Sequence, residues 1–108
     1  MTIRQIDENF SVTGQISAEQ VPELAAAGYA AIICARPDNE DPGQPAFAEI
    51  AAAAEQAGLS IVHIPVSGPA TPEQIARFQA VMAELPGPVL GYCRSGGRAA
   101  NLYATVAK

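Results

Sequence analysis

Five short apolar or β-branched runs, "IRQI", "FSVTG", "YAAIICA", "LSIVHIPV" and "VLGYC", punctuate the chain, and all but the first two are separated by segments of helical period. That alternation constrains the fold more than any other feature. Strands joined by crossover helices lie side by side in parallel, which predicts an α/β domain with a mostly parallel central sheet flanked by helices. With 108 residues and 49% apolar content, the chain can bury one core but not two, so residues 1–108 are expected to form a single domain.

The helices are clearly marked. Ser17, with Gln20 three positions on, offers a capping box for a helix through "AEQVPELAAAG" that closes at Gly28. Ala46 to Ala57 is alanine-rich and stops at Gly58, while the polar "RPDNEDPGQP" before it reads as a loop. Thr71, Pro72 and Gln74 mark the start of a third helix, whose Ile75, Phe78, Val81, Met82 and Leu85 are read as core, and "PGP" ends it. "RAANLYATVAK" is expected to close the domain as a helix, with Leu102 and Tyr103 packing inward.

Eleven acidic residues face six basic ones, a net charge of −5 that argues against nucleic acid or an anionic membrane as partner. Yet Arg94 and Arg98 lie within five positions of Cys93, so "GYCRSGGRA" is locally positive and suits a small anion. The N-terminus lacks an apolar signal core and no apolar run approaches a membrane span, which makes the cytoplasm the expected compartment. Two cysteines, Cys34 and Cys93, show no metal-ligand spacing and are expected to remain thiols, and no metal or cofactor is predicted. The acidic residues of "DNED" are read as a solvated loop.

The cysteine loop falls between a strand and a helix, where open α/β sheets bind ligands. Gly96 and Gly97 allow the backbone to curl so that N–H groups point inward, the next helix adds its positive end, and Arg98 can fork onto oxygens. Cys93 in that field is expected to ionise readily and act as nucleophile, with Arg94, Ser95, Gly96 and Gly97 binding the anion.

"YCRSGGRAANL", "RPDNEDPGQP" and "HIPVSGPATPEQ" together resemble the phosphatase-like domain of the beta-lactamase hydrolase-like protein family, over nearly the whole chain. The resemblance implies a fold like that of dual-specificity phosphatases, that is, a cysteine-phosphatase-like α/β domain. It further implies proximity of the "RPDNEDPGQP" loop to Cys93, a sulfur-transfer role in some members, and a link to persulfide dioxygenases, with which such domains occur fused. Arg36, at the strand end it places near Cys93, is then a candidate anion ligand, weighed against an ion pair with Asp38 or Glu40.

Cysteine phosphatases typically have five residues between Cys and Arg and a His before the Cys. Here four, "RSGG", separate Cys93 from Arg98, as in rhodanese-like loops, and Tyr92 precedes the cysteine. Phosphatases of this fold place an aspartate in the loop that here reads "SGPATPEQ", and Asp38 or Asp41 would have to replace it as proton donor. These counts favour a sulfurtransferase that moves sulfane sulfur from thiosulfate or glutathione persulfide to a thiol or cyanide through a Cys93 persulfide. A cysteine-dependent phosphatase is the alternative, and a non-catalytic anion- or partner-binding module the third reading. Cys34 is read as core, with a resolving thiol as the other possibility, and His63 as a satisfied sheet residue more than a base.

Overall fold

The computed structural model describes residues 2–106. β1 (Arg4–Gln5) and β2 (Phe10–Thr13) come first, then a 3-10 turn (Ala18–Gln20) and α1 (Val21–Ala26). β3 (Ala31–Cys34), α2 (Phe47–Gln56), β4 (Ser60–His63), α3 (Pro72–Glu84), β5 (Val89–Tyr92) and α4 (Gly97–Ala104) complete the order. The strands form one sheet, β1-β2-β5-β3-β4, in which only β1 runs antiparallel to its neighbour. The alternation of strand and helix in the sequence thus yields the parallel sheet it predicts.

Boundaries differ in two places. The first helix begins as a 3-10 turn and becomes α-helical at Val21, where Pro22 sits in the first turn and its missing N–H removes no intrahelical bond. α4 ends at Ala104 rather than running on through Val106, and the expected helical residues Ala107 and Lys108 lie outside the described residues. α3 starts as expected: Gln74 N–H donates to Thr71 Oγ1 at 3.1 Å, and Thr71 N–H to Gln74 Oε1 at 2.9 Å.

Side chains along β5 alternate between two cores, as a strand's period of two requires. Val89, and Cys93 just beyond the strand, join Phe10, Val12, Ile33, Phe78, Ala99 and Leu102 under α3 and α4. Leu90 and Tyr92 join Leu24, Ile32, Cys34 and Ile50 under α1 and α2. Gly91 lets α4 settle onto β5, because a Cβ there would lie 2.7 Å from Phe10 Cζ and 3.1 Å from Ala99 Cβ. The Phe10 ring stacks on Tyr103 with centroids 4.2 Å apart and meets Phe78 edge-on at 6.0 Å. Tyr103 donates its hydroxyl proton to Asp7 Oδ2 at 2.6 Å, tying α4 to the β1–β2 turn.

Because β2, β3, β4 and β5 run the same way, the segments that leave them emerge along one edge of the sheet. Gly14, Ala35, Ile64 and Cys93 each begin such a segment. Residues far apart in sequence therefore meet at that edge.

Candidate active site

Cys93 is wholly buried at the end of β5, where its N–H donates to Thr13 O at 3.4 Å. Gly96 N–H donates to Cys93 Sγ at 3.0 Å, closing the loop onto the sulfur. This geometry depends on Gly96, whose φ of 94° is strained for any L side chain and whose hypothetical Cβ would sit 3.4 Å from Thr13 O. Gly97 behaves otherwise than expected: its N–H turns to Ser95 Oγ at 3.4 Å, while Ser95 itself is exposed. α4 starts at Gly97 and directs its positive end into the same loop.

Arg98 reaches across the sheet edge. Its Nη1 donates to Glu40 Oε2 at 2.7 Å and to Val66 O at 2.6 Å, and its Nη2 donates to Glu40 Oε1 at 2.8 Å. Glu40's hydrogen bonds, and to a lesser degree Cys93, hold this guanidinium more firmly protonated than an ordinary arginine. A guanidinium has five N–H groups, so Nε–H and one Nη2–H lie outside these bonds, a fork of the kind that suits an oxyanion.

Glu40, which the sequence marks only as a solvated loop acid and a partner for Arg36, belongs to the site. It sits between two arginines, Arg98 on one side and Arg36 Nε at 2.9 Å on the other. Hydrogen bonds from Arg98 and then Arg36 outweigh its partial burial and lower its pKa to about 2. A carboxyl so held does not serve as a proton donor near neutrality.

Arg36 makes the ion pair with Glu40 that the sequence sets against anion binding. It is 4% exposed, and its Nε, Nη1 and Nη2 are taken by Glu40, by Gln15 Oε1 at 2.9 Å and by Asp41 Oδ2 at 2.6 Å. Asp38, the possible acid, accepts the Phe47 N–H on its Oδ1 at 2.8 Å and so supports the first turn of α2. Arg94 lies in the loop but projects outward, 67% exposed, with Nε 3.2 Å from Asp41 Oδ2. The polar loop expected near Cys93 is therefore there, and two of its three acids, Glu40 and Asp41, face arginines.

Tyr92 and Cys34 sit on the far side of the sheet from Cys93. Burial pushes the Cys34 thiol pKa up, against hydrogen bonds involving Tyr92 and the Arg36 carbonyl. Its place in the opposite core agrees with the core-packing reading. Burial also keeps the Tyr92 hydroxyl protonated. His63 Nε2 donates to Arg36 O at 2.8 Å and its ring stacks on Phe47 at 4.4 Å, a sheet residue with its proton committed. Among the described residues, no group of three or more His, Cys, Asp or Glu is placed to hold a metal ion. No helix among them is long and apolar enough to cross a membrane.

A parallel sheet that delivers a cysteine into a glycine-turned loop, closed by an arginine at a helix N-terminus, defines a domain of the cysteine-phosphatase fold. The chain belongs to the family of beta-lactamase hydrolase-like proteins, phosphatase-like domain, which matches residues 2–107. It is 45% identical over 100 residues to the beta-lactamase hydrolase-like protein of Agrobacterium fabrum, covering 92% of this chain and 23% of that one. The corresponding protein of Xylella fastidiosa is 41% identical over 105 residues, covering 96% of this chain and 24% of that one. The chain thus spans about a quarter of the length of these curated relatives. A crystal structure of a candidate phosphatase from Neisseria meningitidis superposes with TM-score 0.87 at 34% identity, over 95% of this chain and 74% of that one.

Proposed function

We propose that the domain is a cysteine-dependent phosphatase in which Cys93 is the nucleophile. The observation that carries this reading is the convergence of Gly96 N–H on Cys93 Sγ with Arg98 at the start of α4. The phosphatase-like family and the candidate phosphatase with the same fold support it. Sulfur transfer, the reading favoured by the loop count alone, gains no support from these relatives.

Cys93 thiolate attacks phosphorus, a P–S bond forms, and the P–O bond to the leaving group breaks with its electron pair. Arg98 binds the equatorial oxygens through Nε–H and the second Nη2–H, while Glu40 and Val66 O fix the rest of the guanidinium. Water then cleaves the phosphocysteine, returning phosphate and the thiolate. Since Glu40, Asp38 and Asp41 are all engaged, the preferred substrates are phosphates whose leaving oxygens depart unprotonated, such as aryl esters. Cys93 is fully buried at rest, so substrate reaches sulfur when the loop yields.

One observation favours sulfur transfer as a second reading: with no free carboxyl donor, the site suits a leaving group such as sulfite, which needs no proton. The small anionic donor would then occupy the same Arg98 fork. Steady-state turnover of an aryl phosphate by the wild type and Cys93→Ser tests the first reading. Vanadate-inhibited turnover lost in the variant supports it, and turnover that survives the substitution defeats it.

A further inference from the structure

A cleft of about 670 Å³ opens beside the cysteine loop, bounded on one side by Ser95 and Gly97 and on the other by Arg4 of the first strand and Thr2 before it. Its Arg4 wall lies on the cysteine's side of the sheet, and Thr13 and Gln15 line the cleft as well. Arg4 pairs directly with Val12, and directly opposed residues of an antiparallel pair share a face. Val12 packs in the same core as Cys93. β2 and the cysteine loop touch at Gly14, where a Cβ would lie 3.1 Å from Arg94 O.

The lining carries one charge. Arg4 is exposed and makes no ion pair among the described residues, whereas Arg36, Arg94 and Arg98 are all tied to Glu40 or Asp41. No carboxylate lines the cleft. In a chain of net charge −5, a cationic side chain left unpaired over an acid-free cleft next to an anion-binding loop marks a place where negative charge is welcome. The volume is that of a small-molecule subsite, far larger than one phosphate requires.

We propose that this cleft binds the part of the substrate that is not transferred, and that Arg4 selects substrates carrying a second anionic group there. Resting on the phosphatase reading above, this makes the substrate class a small phosphate monoester with a carboxylate or further phosphate on its leaving group. Arg4 is the specificity-determining residue, while Cys93 and Arg98 handle the transferred phosphoryl group.

Calorimetric titration with two non-hydrolysable probes, phenylphosphonate and para-carboxyphenylphosphonate, tests the inference in the wild type, Arg4→Gln and Arg4→Lys. The wild type should bind the carboxylated probe roughly three- to five-fold more tightly, as one partly exposed ion pair allows. That ratio should fall to about one in Arg4→Gln and recover at least in part in Arg4→Lys. Equal wild-type affinities, or a ratio untouched by Arg4→Gln, would overturn the subsite while leaving the phosphatase reading standing. If neither phosphonate binds at all, both fall together.

Discussion

Glu40 holds Arg98 with both carboxylate oxygens, at 2.7 and 2.8 Å, and the two residues are 58 positions apart in the chain. The contact fixes the guanidinium plane against the cysteine loop. It exists because β3 and β5 are parallel neighbours whose following segments leave the same edge of the sheet.

Replacing Glu40 by Gln should therefore act on catalysis through Arg98. The expected loss is about 10- to 100-fold in kcat/KM for an aryl phosphate, the scale on which a misplaced positioning group is felt. Stability should fall by about 1–3 kcal/mol, less than for a fully buried pair because Glu40 keeps some solvent contact. Urea unfolding beside steady-state kinetics separates the two effects.

The same pair sets the acid limb of stability. Glu40's pKa is lowered from 4.5 to about 2 in the folded chain, chiefly by Arg98. A depressed carboxyl contributes stability that is complete above its unfolded value and disappears as pH falls through its folded value. Unfolding free energy should thus decline between pH 4.5 and about 2, and Glu40→Gln should flatten that decline.

At the alkaline end the sign reverses. The hydrogen bond to Asp7 raises Tyr103 from 10.0 to about 12, so its contribution is full below pH 10 and is lost as pH rises through about 12. Tyr103→Phe should remove that slope while keeping the stack on Phe10, which denaturation at pH 9 and 11.5 would show.

Two glycines should be intolerant for different reasons. Gly91→Ala forces a methyl into Phe10 and Ala99 and is expected to cost about 1–3 kcal/mol. Gly96→Ala meets a left-handed backbone, so its strain of roughly 1–2 kcal/mol should come with lost turnover, as the N–H leaves Cys93 Sγ. Thermal melts and aryl phosphate kinetics on both variants distinguish packing from loop geometry.

What the sequence made legible was local. Strand and helix order, the Thr71 cap, and Cys93, Gly96 and Arg98 as one loop all follow from period, capping and spacing within a few residues. What it hid was pairing across the sheet edge. Arg36 and Arg98 look alike as arginines after strands, yet Arg36 is 4% exposed among Gln15, Glu40 and Asp41 while Arg98 is 20% exposed at the start of α4. Only the register of β3 beside β5 decides that. Asp38 is a candidate acid only because "SGPATPEQ" lacks the aspartate the resemblance leads one to expect there, and its hydrogen bond from Phe47 N–H, nine residues away, is not legible from spacing. Glu40 carried one weak signal, its position four residues after Arg36.

The most direct test of the account is intact mass measurement after rapid acid quench from an aryl phosphate, for the wild type and Cys93→Ser, with thiosulfate as a parallel donor. The account predicts a gain of about 80 Da, one phosphoryl group, from the aryl phosphate in the wild type and none in the variant. A gain of about 32 Da from thiosulfate with no phosphoryl adduct would contradict it and establish Cys93 as a sulfur carrier instead.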